Sequence, residues 1–366
     1  MHVCLIFHTP FPNTFSTAIQ ETVRHLAKHV EVTVIAAADE RETVMWNGAT
    51  VHRLVSDTST AKSLDPTRFG IKANRLVSEL NDAQGIDIVH LHAFPALGAV
   101  LTTTQGIPVV ADIRGTAVSN WVFELVSRIG LKLQRRLVDE VITVSEPVAR
   151  HIFGPDPGVS IVPLGVDLAK FDPTTVTPVE QDSDSVTAVY VGHLHPSREL
   201  ETLIEAVATA KKETPQLDCL IIGDGDARLD LEQYAADCGV ADHIEFVGSV
   251  PHEEIPRWLV AADIGLAYVA DKPQYRHQPP IKTVEYLAAG LPVVATNTEG
   301  NEQFVDETVG ILTDGSALAY GDGLGELSRK YSQFSAADLR KRVERYDYGY
   351  TVENDLLPIY HHLTSQ

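Results

Sequence analysis

Almost from end to end, apolar runs of single-strand length alternate with longer segments whose apolar residues recur at helical spacing. Strands separated by helix-length crossovers pair in parallel and need helices over both faces, so the alternation predicts an α/β fold. In the first half the strand candidates are residues 3–7, 32–36, 50–54, 87–91, 108–113, 141–144 and 159–162. A helix over 18–28 fits between the first two, with Ile19, Val23, Leu26 and Ala27 on one face. The segment DPTTVTPVEQDSDS at 172–185, with two prolines and four acidic residues, interrupts the pattern and reads as a linker. The alternation resumes with TAVYVG at 187–192, CLIIGDG at 219–225, HIEFVG at 243–248, DIGLAYV at 263–269 and LPVVATN at 291–297. A chain of 366 residues exceeds what one core usually spans. The expectation is therefore two facing, doubly wound, Rossmann-like domains: residues 1–172, a linker at 173–185, and residues 186–345. Residues 336–362 have a helical pattern, and Tyr346, Tyr348, Tyr350 and Tyr360 are too many aromatics for a solvated tail. Residues 346–366 are thus expected to pack back on the first domain.

The charge balance narrows the partners. Twenty-nine Lys and Arg against fifty Asp and Glu leave a net charge of −21, which repels phosphate backbones and argues against nucleic-acid binding. Cys4, Cys219 and Cys238 lie far apart and suggest neither a disulfide framework nor a metal-ligand pair. No acidic cluster has the look of a metal site. The apolar stretch near the start is too short for a signal-peptide core, and no later run approaches a membrane span, so the expected location is cytoplasmic. The one clear basic cluster is Arg128, Lys132, Arg135 and Arg136. It lies in residues 121–137 among Trp121, Phe123, Leu125, Val126, Ile129, Leu133 and Leu137. This segment has two readings: peripheral contact with anionic lipid on the inner face of the membrane, or a core-packed helix with a solvated outer face.

In open α/β sheets ligands bind beyond the carboxyl ends of the strands, which for two facing sheets means a cleft between domains. The most informative segment there is PPIKTVEYLAAGLPVVATN at 279–297. Its two prolines delay a helix until Ile281, Gly290 ends it, and LPVVAT is a buried strand. Lys282 and Glu285 share one face, while the amides about Ile281 and Thr283 open the helix. Together they suit a sugar diphosphate whose ribose hydroxyls donate to the carboxylate. The ordinary alternative is an exposed Lys–Glu pair. In VYVGHLHPSREL, from residue 189, Gly192 permits close backbone approach and Arg198 offers a phosphate fork, with His193 in the turn between them. A solvated arginine and two loop histidines are the bland version. Gly223, a donor-side candidate, and Gly225 in IIGDGDARL lack the third small residue of a dinucleotide fingerprint and read as a tight strand-to-helix turn, and FHTPFPNTF after the first strand has no glycine, so no NAD-type cofactor is expected. In the first domain Asp112, Arg114 and Gly115 end the strand VVADI, and His92 ends the one before it. Asp112 and Arg114 either face a ligand or pair simply to hold their loop.

Six segments in order give these fragments a common meaning: VDEVITVSEPV with IVPLGVDLAKF, VGHLHPSREL, IIGDGDARL, IEFVGSVPHEEIPRWLVAADIGL and PIKTVEYLAAGLPVVAT. Nearly the whole chain resembles the family-4 (group 1) retaining glycosyltransferases, which have the B-type glycosyltransferase fold. The resemblance implies a nucleoside-diphosphate sugar as donor, bound by the carboxyl-terminal domain. The acceptor, on the amino-terminal domain, would be a glycan, lipid-linked or small-molecule hydroxyl. It implies that Glu285 bonds the ribose, that Arg198 neutralises the diphosphate beside Gly192, and that Val250 and Pro251 hold the base. The segment IRG at 113–115 lies where many relatives carry a His-Gly near the transferring sugar, and Asp112 and His92, at strand ends beside Arg114 and Gly115, are the further acceptor-side candidates. Two departures stand out: His277 occupies the position of the family's first motif glutamate, and His193 that of an arginine. Retention by front-face attack with cationic Arg198 and Lys282 on the leaving group, and no metal, is the mechanism implied. A sugar-nucleotide epimerase of the same fold, or a catalytically silent sugar-nucleotide binder, would share much of this pattern. Net conversion without an acceptor would mark the first, and binding without turnover the second.

Overall fold

The computed structural model describes residues 1–12, 17–55, 65–92, 106–115, 121–181 and 185–365, with the side chains of 65–67, 121–124 and 274 outside that description. Contacts divide the chain into two units, Met1–Leu164 with Tyr348–Gln366, and Gly165–Asp347.

The first unit is built on an eight-stranded sheet of order β3-β4-β2-β1-β5-β6-β7-β8. Its strands are β1 (His2–Phe7), β2 (Glu31–Ala38), β3 (Glu42–Trp46), β4 (Ala49–Val55), β5 (Ile88–His92), β6 (Val109–Ile113), β7 (Glu140–Thr143) and β8 (Ser160–Ile161). Val3 stands opposite Val32 on one side and Ile88 on the other. With both neighbours paired and both faces covered, β1 is buried along its whole length, which is why HVCLIF is apolar throughout its middle. The edge strand β3 runs antiparallel to β4 and is mostly exposed, so no apolar run announces it. Helices α1 (Thr17–Leu26), α2 (Asp65–Gln84), α3 (Trp121–Gln134) and α4 (Glu146–Phe153) cover the sheet. At the start of α4 the Val148 amide donates to the Ser145 side chain, with Pro147 in the first turn.

The second unit holds an all-parallel six-stranded sheet, β11-β10-β9-β12-β13-β14. The strands are β9 (Val186–Val191), β10 (Leu217–Ile222), β11 (Ile244–Gly248), β12 (Ile264–Ala267), β13 (Val293–Thr296) and β14 (Gly310–Thr313). The strand order reverses beside β9, so the ends of β9 and β12 are the switch point where such sheets take ligands. Between and after the strands run α5 (Glu201–Ala210), α6 (Arg228–Asp237), α7 (Ile255–Val260), α8 (Pro273–Arg276), α9 (Ile281–Ala288), α10 (Glu299–Glu302), α11 (Ala317–Ser328) and α12 (Ala336–Val343).

Residues 165–172, grouped with the first domain on the sequence, lie in the second unit. Phe171 is buried there, and the Arg340 guanidinium donates to the carbonyls of Leu168, Phe171 and Ala288, clasping the segment to α9 and α12. The described part of the linker stays with the same unit, since the Val179 amide donates to the Arg257 carbonyl and Arg257 Nε to Thr177. The helical stretch expected over 336–362 is broken. At Asp347 the chain is extended and bridges to Val166, and it then re-enters the first unit as α13 (Tyr348–Thr351), a π-turn (Val352–Leu356) and α14 (Leu357–Thr364). Val352, Leu356, Leu357 and Tyr360 join the cluster formed by β1, β2 and α1, whereas Tyr350 is exposed.

Candidate functional site

At the end of β9 two strand termini touch through glycines. Gly223 has φ +140°, and a Cβ there would lie 1.9 Å from the Gly192 carbonyl oxygen. A Cβ on Gly192 would lie 2.8 Å from the Tyr190 hydroxyl and 3.2 Å from Lys282 Nζ. The space left by Gly192 is thus used by the Lys282 ammonium, which lies 3.7 Å from the centre of the Tyr190 ring. Lys282 is in the first turn of α9, whose start follows two prolines and has no side-chain cap. Burial, and then the positive charge of Arg198, push the Lys282 pKa well below the ordinary lysine range against the pull of Glu285. This is not the exposed Lys–Glu pair that the spacing alone allowed.

Arg198 ends a short 3₁₀ turn, Pro196–Arg198, with its guanidinium 4.5 Å from the centre of the Tyr275 ring. The turn is fixed from below: the Tyr275 and Ser197 hydroxyls are 2.9 Å apart, and Lys272 Nζ donates to the Ser197 carbonyl and pairs with Glu199 at 2.8 Å. Two cations, each laid on an aromatic face and repelling one another, make an environment that an anion relieves. One turn along α9, the largely buried Glu285 accepts from His252 Nε2 at 3.0 Å. His252 follows the half-buried Val250 and exposed Pro251 in the loop after β11.

Other expected donor residues fall differently. His277 follows α8 as its carboxyl-terminal cap residue, with Nδ1 3.2 Å from a Glu299 carboxylate oxygen. His193 is exposed and stacks on His195, ring centres 6.0 Å apart. Thr283 faces the interior: it is fully buried, its hydroxyl donates to Asn301 Oδ1 at 2.8 Å and its amide to the Pro280 carbonyl. Both of its donors are therefore spent on the fold. The sequence reading missed Tyr190, Tyr275, His252 and Glu299. Each sits beside a residue it did single out, but as a lone aromatic or charged residue none carries a spacing signal.

In the first unit, Asp112 ends β6 with 4% of its surface exposed. Arg114 donates to Asp112 Oδ2 from Nε at 2.9 Å and approaches it with Nη2 at 2.8 Å. His90 Nε2 and His92 Nδ1 reach the same oxygen at 3.6 and 3.5 Å. Although burial works the other way, Arg114 and the two histidines hold the Asp112 carboxyl well below the usual carboxylate range. Asp112 thus organises the end of the strand, while Arg114, His92 and Gly115 beside it are partly exposed. The other expected segment, α3, is inside out. Val126, Ile129 and Leu133 are 61%, 52% and 56% exposed, whereas Ser127 and Gln134 are buried beside Leu131. Lys132 and Arg136 are exposed with them, so the helix packs on the core through Leu131, beside Val148 and Ile152, while its outer face is apolar and basic where a polar one was expected. The side chains of Trp121 and Phe123 lie outside the described residues.

Two doubly wound sheets in one chain are the architecture of the B-type glycosyltransferases. The family described as "Glycosyltransferase Family 4" matches residues 16–170, and that described as "Glycosyl transferases group 1" matches residues 175–346. The chain belongs to this family and is a glycosyltransferase. It is 27% identical over 294 residues to the GDP-mannose-dependent alpha-(1-6)-phosphatidylinositol monomannoside mannosyltransferase of Mycobacterium tuberculosis, covering 75% of this chain and 74% of that one. Among solved structures it superposes on sucrose-phosphate synthase from Thermosynechococcus elongatus with a TM-score of 0.76 at 17% identity, covering 100% and 99% of the two chains. Anabaena HepE in complex with UDP gives 0.74 at 16% identity, with 100% of both chains covered. These two likenesses speak for the fold. Among the described residues no helix is long and apolar enough to cross a membrane.

Proposed function

We propose that the chain transfers a hexosyl unit, with retention of anomeric configuration and without a metal ion, from a nucleoside-diphosphate sugar to a hydroxyl of a lipid-linked acceptor at an anionic membrane surface. The observation that carries this reading is the pair of aromatic-backed cations, Lys282 and Arg198, at the uncapped start of α9. A diphosphate there gains charge-assisted hydrogen bonds from both, and Glu285 one turn away is poised to accept from ribose hydroxyls once His252 yields. Val250 and Pro251 would flank the base, and His277 with Glu299 the sugar. The Mycobacterium tuberculosis relative is named for GDP-mannose and a phosphatidylinositol mannoside, which makes that donor and that class of acceptor the first to test.

In the transfer, the bond between the anomeric carbon and the diphosphate oxygen breaks as the acceptor oxygen bonds to the same face. The acceptor proton passes to the departing oxygen. Negative charge grows on the diphosphate, and Lys282, Arg198 and the α9 amides supply the compensation that a metal would otherwise give. Arg114, His92 and Gly115 would meet the acceptor. The outward apolar stripe of α3, flanked by Lys132 and Arg136 in a chain of net charge −21, suits shallow insertion among anionic headgroups.

Calorimetric titration with GDP, UDP, ADP and dTDP and their sugars tests the donor site. Arg198→Ala and Glu285→Ala are each expected to weaken the preferred nucleotide roughly tenfold or more; unchanged affinity in both removes the assignment. Mannose transfer from GDP-mannose to vesicles carrying phosphatidylinositol monomannoside is then followed by NMR of the product's anomeric centre. An inverted product refutes retention, and loss of activity in EDTA refutes metal independence.

A further inference from the structure

The residue that organises the acceptor-side end of β6 is itself held from a distant part of the chain. Tyr360, fully buried in α14, places its hydroxyl 2.5 Å from His90 Nδ1. Among the described residues the Tyr360 hydroxyl has no other hydrogen-bond partner, so the phenol, whose pKa burial and then the nearby Asp112 charge drive well above its ordinary value, has only the ring nitrogen to donate to. That fixes the tautomer of His90: the ring proton sits on Nε2, the nitrogen that approaches Asp112 Oδ2 at 3.6 Å. The same oxygen takes both nitrogens of Arg114. A cavity of about 20 Å³ lined by His90, Asp112, Arg114, Thr22, Tyr348 and Thr351 adjoins the chain of contacts, and Asp112 and Arg114 are the charged groups facing it.

We infer that Tyr360 and His90 are positioning residues for Arg114. The phenol sets which ring nitrogen carries the proton, the Nε2–H end of the ring is turned to the Asp112 carboxylate, and Asp112 holds the guanidinium at the carboxyl end of β6 by two nitrogens. Were the ring to present a lone pair to Asp112 instead, two acceptors would face each other in a buried space, and the carboxylate would turn away from one of its partners. The group controlling the geometry of Arg114 therefore lies 270 residues from His90 in sequence. The inference rests on the reading of Arg114 as an acceptor-side residue, and the experiment separates the two.

The test is the rate at which phenylglyoxal labels Arg114 in the full-length protein, read by peptide mass spectrometry with the half-exposed Arg150 as internal reference. Tyr360→Phe removes one oxygen and no carbon. It is expected to raise the Arg114 rate roughly threefold to tenfold, the effect of losing one hydrogen bond, and to leave Arg150 unaltered. His90→Leu should do the same. His90→Gln should restore the slow rate, because its amide can accept from Tyr360 and donate to Asp112, whereas a loss of packing alone would not be repaired by it. The ¹⁵N resonances of His90 should report a single Nε2–H tautomer in the wild type and a mixture in Tyr360→Phe. An unchanged Arg114 rate in Tyr360→Phe, or a His90→Gln rate equal to that of His90→Leu, overturns the positioning role. Full transfer activity in Arg114→Ala would instead overturn the acceptor-side reading while leaving the positioning of the guanidinium intact.

Discussion

Replacing Lys282 by Met separates what the ammonium costs the unliganded protein from what it gives a bound diphosphate. The methionine keeps the length of the stem and can rest its sulfur on the Tyr190 ring. The cation–π contact given up, about 0.5–2 kcal/mol, is then largely offset by a sulfur–aromatic contact of about 0.3–1.5 kcal/mol. What remains is the desolvated charge and its repulsion by Arg198, both of which disfavour the protonated amine in the folded state. The variant should therefore unfold at a higher temperature than the wild type near neutral pH. The pH dependence follows from the direction of the shift. Below the folded-state pKa both states carry the proton, and the folded protein bears the whole cost. As pH rises through that value toward the ordinary lysine value of 10.5, the folded state alone releases the proton and the cost vanishes. The advantage of Lys282→Met should thus be largest at low pH and shrink as pH climbs. Nucleotide affinity moves the opposite way, because a charge-assisted bond to the diphosphate is lost. At about 1.5–3 kcal/mol this weakens binding roughly 10- to 100-fold. Scanning calorimetry from pH 6 to 10, paired with isothermal titration of the preferred nucleoside diphosphate, reads both. A variant that is less stable at every pH, or that binds the nucleotide as tightly as the wild type, refutes the account of Lys282.

Gly223→Ala should cost at least about 1–3 kcal/mol in denaturant unfolding, since its Cβ would fall 1.9 Å from the Gly192 oxygen; a wild-type midpoint would mean the two strand ends are not held as described. Ile129→Ser combined with Leu133→Ser should reduce co-sedimentation with phosphatidylglycerol vesicles roughly tenfold or more while shifting stability by no more than about 0.5 kcal/mol per site. A large loss of stability would instead put Ile129 and Leu133 in the core. Buried Cys4 and Cys219, with thiol pKa values pushed up to about 12 by burial, should resist iodoacetamide at pH 8 until denaturant is added; their labelling in the native protein would contradict that burial.

The strands that were legible in the sequence are those buried on both faces. Residues 3–7, 187–192 and 291–297 read as unbroken apolar runs because parallel strands under two helical layers leave no polar side. The exposed edge strand β3 offers no such run, and β14 is a short GILT segment on the opposite edge of the other sheet. For β3 a local cue existed in Asn47–Gly48, both with positive φ, the two-residue turn that joins it to β4. In the proposed donor site the helix, its lysine and its glutamate could be found because their spacing is short-range. The aromatic faces under the cations could not, since Tyr190 and Tyr275 reach them from other elements. Helix α3 was ambiguous for a physical reason. Amphipathicity fixes that a helix has two faces, not which of them turns inward, and here Gln134 and Ser127 are the buried ones. Residues 165–172 show the same limit at the scale of a domain: their allegiance is set by Arg340, which lies nearly half the chain away.

The first unit is discontinuous in sequence, and this has a consequence for how the protein is made. Leu164 leaves the ribosome about 200 residues before α14 does, an interval of roughly 10–40 s at ordinary rates of synthesis. Throughout that interval Val3, Leu5 and Val34 lack the covering supplied by Leu356, Leu357 and Tyr360, and His90 lacks its phenol. The second unit, contiguous from Gly165 to Asp347, has no such wait. Nascent chains should therefore complete their folding in reverse order, the later-synthesised unit closing first. A message truncated after Asp347 would yield one finished domain tethered to an unfinished, chaperone-dependent one.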